Sequence, residues 1–148
     1  MVACILLLVI SLPFEASATL GGDVTSIETD RAHMNGKLQV TPANAYTVHE
    51  ITGADHALLR EFISPAGVVF GVGWEGQFMP DMQQLLGAYF DQYSQAVKEQ
   101  KASYVGRRPL NIQLPGLVVQ MGGHMRAFSG RAYIPEQVPQ GVRAEDLW

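Results

Sequence analysis

Apolar residues are spread unevenly along the chain, and their densest stretch runs from Ile63 to Tyr93. It opens with Ser64-Pro65-Ala66-Gly67, where Ser at the first position, Pro at the second and Gly at the fourth suit a type I turn. Two runs flank this turn, Leu58–Ile63 and Val68–Trp74, and they read as the arms of a hairpin. Strand alternation puts Val68, Phe70, Val72 and Trp74 on one face and Val69, Gly71 and Gly73 on the other. Upstream, Tyr46–Ile51 has the β-branched and aromatic content of a further strand, with Thr52 to Ala57 as the connecting turn.

Beyond the hairpin the period changes. Met82, Leu85, Leu86, Tyr89, Tyr93 and Val97 recur at helical spacing, with Pro80 suited to a first turn and Asp81 favoured there by the helix dipole. The pattern predicts one amphipathic helix through Lys101 that buries one side. A shorter helix is expected over Ser26 to Met34, with capping-box spacing at Thr25 and Glu28 and a stop at Asn35-Gly36. Lys37 to Ala45 reads as a linker around Pro42, and Ala102 to Gly116 as irregular between Pro109 and Pro115. Near the end, Gly122-Gly123 gives a two-residue hairpin signal between Leu117–Met121 and a strand from His124 to Ile134, with Gly130 suited to a bend or bulge. Gln137 to Trp148 is expected to pack on the surface as a tail.

These elements define an α+β domain. It has an antiparallel sheet made of a three-strand meander plus a closing hairpin, one long helix packed on one face, and a short N-terminal helix. The 148 residues, 47% apolar and 16% charged, fit one globular domain. A formal charge of -4 with scattered basic residues argues against nucleic-acid binding, which draws on clustered Lys and Arg. Arg107-Arg108 is the sole basic doublet and reads as a solvated loop.

The first residues join an apolar run, Ile5 to Ile10, to Ala16-Ser17-Ala18. That is the pattern of a secretory signal, too short to span a bilayer, so residues 1–18 are expected to be removed and 19–148 to form the domain with no stable membrane span. No Lys or Arg precedes the run. The positive charge of such a leader comes either from the terminal amine or, as we expect, from residues upstream of Met1. The single cysteine, Cys4, falls within the leader, so the expected mature chain has no disulfide and no thiol nucleophile. A periplasmic or secreted location follows.

Several blocks in order, LGGD at 20–23, YTVHEI at 46–51, SPAGVVFGVGWEGQFMPDMQQLLGAYF at 64–90 and GHMRAFSGRAYIP at 123–135, resemble a family of exported proteobacterial proteins catalogued only as a domain of unknown function. The resemblance covers nearly all of the expected mature chain. It implies a bacterial envelope location and carries over no reaction, ligand or catalytic residue.

His33, His49, His56 and His124 lie in no metal-ligand spacing, so neither metal nor cofactor is expected. Ser64 and Ser129 lie in no nucleophile motif, and Ser64 is explained by its turn. GVGWEG, from Gly71 to Gly76, is formally G-x-G-x-x-G, but two of its glycines fall inside a strand and Pro80 intervenes before the helix. Close approach of another backbone or ring to the bare strand face explains these glycines better. Glu75 and Asp81 flank the corner without the marks of an acid–base pair.

What remains is an apolar strand–helix corner, with Trp74, Glu75, Phe78, Asp81 and Met82 as candidate ligand- or partner-binding residues. The expected function is a non-enzymatic binding or accessory protein of the envelope, holding a partner protein or a small apolar ligand. The alternative is a hydrolase whose catalytic residues are not local in sequence.

Overall fold

A computed structural model describes residues 20–103 and 109–148 of the chain. The expected export signal, with Cys4, and the Arg107-Arg108 doublet lie outside the described residues. Among those described, the strands are β1 (Lys37–Pro42), β2 (Thr47–Thr52), β3 (Leu58–Ile63), β4 (Val69–Gly76), β5 (Leu110–Leu114), β6 (Leu117–His124) and β7 (Ala127–Tyr133). They form one antiparallel sheet in the order β1-β2-β3-β4-β7-β6-β5. The α+β class stands, and the sheet is larger than the sequence suggested. A four-strand meander, β1–β4, and a three-strand meander, β5–β7, are joined where β4 pairs with β7.

Both added strands sit at the sheet edges. The expected linker at Lys37 to Ala45 forms β1, whose six residues are all exposed and which is held by the β2 ladder alone. Pro42 is tolerated because an edge strand has a side that need not donate to a neighbour. In the segment read as irregular, Leu110, Ile112 and Leu114 alternate toward the core as β5, with Pro109 just before the strand and Pro115 just after it. The closing hairpin turns at Met125-Arg126 rather than Gly122-Gly123. His124 pairs with Ala127, both glycines stay in β6, and Arg126 takes φ 66°.

The helical segment is broken where one long helix was expected. Asp81 is the N-cap of a short α2 (Met82–Leu86), accepting from the amides of Gln83 at 2.9 Å and Gln84 at 3.1 Å. Pro80 therefore lies outside the helix and not in its first turn. Gly87, at φ 48° and ψ -118°, ends α2, and a 3-10 turn over Gly87–Tyr89 leads into α3 (Phe90–Ser103). Only glycine takes that backbone conformation without strain, so the chain changes direction there. The N-terminal helix α1 (Ile27–His33) follows a 3-10 turn capped by Asp23, which accepts from the Thr25 amide at 2.8 Å. The anticipated capping box does not form, because Glu28 pairs with Arg31 instead.

The sheet buries both faces. On one, Ile51, Leu59, Ile63, Val72, Trp74, Val119 and Ala132 pack with Ile27 of α1, Leu85 and Leu86 of α2, and Tyr93 of α3. On the other, Phe62 and Phe70 pack with Leu147, Tyr46 and Tyr133. The register slips between Phe62 and Ile63, so that Phe62 pairs with Gly71 and Ile63 with Val69. This bulge inserts one residue and shifts the alternation of β4. Val69, Val72 and Trp74 therefore join the helix-side core, while Phe70 turns to the other side, where its ring lies 5.9 Å from Tyr46 and 6.4 Å from Phe62.

The tail face explains the glycines of β4. A Cβ at Gly71 would touch Leu147 and Phe62, each at 3.5 Å, so the bare strand holds the Phe62 ring and the end of the chain. Leu147 is 1% exposed, and Arg131 donates to the Ala144 carbonyl and lies 4.9 Å from the centre of the Trp148 ring. Full burial of such a leucine is worth about 1.5–3 kcal/mol. Gly130 produces no bulge. It faces Trp74 across the β4–β7 ladder, and a Cβ there would lie 2.3 Å from the indole.

Candidate functional site

The C-terminal end of β4, the loop that follows it, the start of α2, the end of α1 and the β2–β3 turn surround a half-open cavity of about 390 Å³. That is within the ordinary range of about 300–1,000 Å³ for small-molecule sites. Trp74, Glu75, Phe78 and Asp81, chosen from the sequence, all line it. Met82 does not, and packs instead against the helix-side core.

Each lining residue has a local reason for its place. Trp74 comes from the inner face of β4 and is held over Gly130, only 5% exposed, with its indole Nε1 buried and without a hydrogen-bond partner among the described residues. Glu75, the next residue along β4, is exposed. Phe78 and Met79 in the following loop are 70% and 41% exposed, giving the cavity an apolar lip on the solvent side. Asp81 is fixed by capping α2. Leu59 and Leu85 add apolar surface from β3 and α2.

Two residues not singled out in the sequence place buried carboxyls at or beneath the site. Asp30 of α1 lines the cavity, is 3% exposed, and accepts a 2.6 Å hydrogen bond from Gln84 Nε2. Burial pushes its carboxyl up to about 6, against the opposing influence of Gln84 and His33. Glu61 of β3, on the same side of the sheet, is completely buried and neither of its oxygens has a hydrogen-bond partner among the described residues. Burial, followed by the nearby charge of Asp30, pushes it up to about 8. Both residues were visible in principle. Glu61 shares strand parity with Leu59 and Ile63, and Asp30 shares a helix face with Ile27 and Met34. A carboxylate in a row of core positions is the signal that would have found them.

Asp30, Asp55, Glu75 and Asp81 all line the cavity, and among the described residues neither Lys nor Arg does. His33 is the one basic side chain in the lining. Among the described residues, no group of three or more His, Cys, Asp or Glu side chains is placed to hold a metal ion.

The remaining candidates are dispersed. His49 faces Glu61 across the β2–β3 ladder, but its Nδ1 is buried without a partner among the described residues, and burial lowers its pKa. His124 lies at the exposed tip of β6, near the Met125 carbonyl. His56 occupies the β2–β3 turn at φ 63°. Ser129 sits in β7 opposite Glu75, and the Ser64 hydroxyl accepts from the Val68 amide within its turn. Neither His49 nor His124 meets a carboxylate and a serine in a cleft among the described residues. All three glycines of GVGWEG are residues of β4, whose partners β3 and β7 run antiparallel to it.

Such a fold and site define a small α+β domain with one acidic, apolar-lined cavity as its candidate site. The chain belongs to the family described as protein of unknown function (DUF2844), whose model matches residues 16–147. No curated protein and no solved structure gives a significant match.

Proposed function

We propose that the protein is an exported binding or accessory protein of the bacterial envelope that takes a small ligand, or an apolar side chain of a partner protein, into the corner cavity. One observation carries the reading: about 390 Å³ of open space bounded by Trp74, Leu59 and Leu85, with Phe78 exposed at its lip, lies where a solid core would otherwise close the strand–helix corner. An exposed aromatic beside a concave apolar surface is the usual arrangement of a recognition site. Export is supported by the apolar run and small-residue pattern of residues 5–18. No helix among the described residues is long and apolar enough to cross a membrane.

The test uses Trp74 as the reporter. In the Trp148→Phe variant Trp74 is the only indole, so its emission can be followed while small apolar probes such as benzyl alcohol and hexanol are titrated. A saturable change that is lost in Leu59→Phe, where the larger side chain fills the space without adding an indole, is the expected result. A reporter that responds to no probe would sink the cavity as a binding site. Fractionation of the native host, with detection in the periplasm or medium, tests the location.

A further inference from the structure

Among the described residues the cavity is short of positive charge, and its surroundings specify where that charge belongs. Asp30 reaches the cavity wall with Gln84 on one oxygen and no hydrogen-bond partner among the described residues on the other. Glu61, fully buried on the same face and close enough for the two charges to act on each other, is unpartnered at both oxygens. A buried carboxylate is matched by a cation or by donors that satisfy both oxygens, or it takes up a proton. Glu61, raised to about 8, takes the last course, which leaves Asp30 as the buried charge that faces the cavity. The arginines of the neighbouring elements are engaged elsewhere, and burial lowers the pKa of His49, which stands opposite Glu61 on β2. Arg31 of α1 is bonded to Glu28, and Arg60 of β3 pairs with Glu50 at 2.9 Å. At the mouth, exposed Glu75 adds a carboxylate with no partner among the described residues, while Asp55 and Asp81 add theirs alongside their backbone bonds.

We propose that the cavity binds an organic cation, with an ammonium or amidinium group directed at Asp30 and an apolar body lying along Trp74 and Phe78. This rests on the cavity being a binding site and adds the class of ligand. The charge deficit, the apolar walls and the exposed aromatic lip together select against anions, which four carboxylates repel, and against small inorganic cations, which leave the apolar walls unused. An aromatic face beside a bound ammonium adds cation–π attraction.

The experiment compares three probes of one shape, benzylammonium, benzyl alcohol and phenylacetate, on the full chain carrying Trp148→Phe, at pH 7.5 and low salt. The expected order is ammonium tightest by about tenfold over alcohol, with the carboxylate weakest. Glu75→Gln, at an exposed position that leaves the core intact, lowers the ammonium preference by about threefold, and Asp30→Asn lowers it further while keeping an acceptor for Gln84. Calorimetry in two buffers of different ionisation enthalpy at pH 6 detects proton release on ammonium binding, because a cation favours the charged form of Asp30. The groups facing Asp30 are His33 on α1, Gln84 on α2 and Glu61 on β3, and the release is lost in Asp30→Asn. Equal binding of ammonium and alcohol, or no proton release, overturns the choice of ligand while leaving the cavity a binding site. Binding of none of the probes overturns both.

Discussion

Glu61→Gln offers the sharpest test of the electrostatics beneath the helices. Glu61 is wholly buried, has no hydrogen-bond partner among the described residues, and is pushed from its ordinary 4.5 up to about 8. A folded-state value above the unfolded one means the folded protein holds the proton more tightly. The associated stability is therefore present in full below about pH 4.5 and is lost as the pH climbs toward about 8. At about 1.4 kcal/mol per pH unit, that interval corresponds to a ceiling of about 5 kcal/mol, and by pH 7 more than half of it has gone. Asp30, raised to about 6, adds a decline in the same direction at lower pH. Glutamine has nearly the same shape and cannot ionise, but its amide would be unpaired at a cost of about 1–3 kcal/mol. The variant should thus be similar to or less stable than the parent at pH 5 and more stable by about 1–3 kcal/mol at pH 8.5, with a flatter profile between. Urea unfolding followed by circular dichroism at pH 5, 7 and 8.5 supplies the numbers. A parent stability that does not change over this range, or a variant that follows the parent's slope, would refute the reasoning.

Two further substitutions probe the packing. Gly130→Ala places a Cβ 2.3 Å from the Trp74 indole and 2.8 Å from the Gln120 carbonyl oxygen; overpacking of this kind should cost about 2–4 kcal/mol, read from the urea midpoint, and should shift Trp74 emission in the Trp148→Phe background. Leu147→Ala opens the slot over Gly71 and Phe62, with an expected loss of about 2–4 kcal/mol in the same assay, and a fully retained midpoint would show that the tail contributes nothing.

Features encoded within a few residues of each other were legible in the sequence. Leu58–Ile63 stands with the expected bounds, and the turn closes as Ser64 and Val68 pair and the Gly67 amide bonds to the Ser64 carbonyl at 2.9 Å. Features set by distant partners were not. β1 has no buried face to impose an alternation, so its composition reads as a linker. The shift of Phe70 to the tail face depends on a bulge that β3 and β4 make together. Gly122-Gly123 resembles a turn, yet pairing with Ser129 and Phe128 keeps both residues in the ladder, Gly123 at φ 105°. At the site, the aromatic and turn residues marked the corner because composition and punctuation coincide there. Asp30 and Glu61 were legible only as carboxyls in core positions, because their raised pKa values come from elements brought over them by the fold.

The junction of β4 with β7 also governs how the molecule can assemble. Each meander closes its own ladders between neighbours in sequence, but Val72 must find Ala132, and Trp74 must find Gly130, across more than fifty intervening residues. Contacts of such separation require closure of a long loop before they return any stabilisation, which slows folding. Until that seam forms, the two half-sheets expose facing strand edges, and the Phe62–Phe70 surface waits uncovered for Leu147. The long-range β4–β7 seam in the middle of the sheet is thus what keeps two inner strand edges from pairing with another chain.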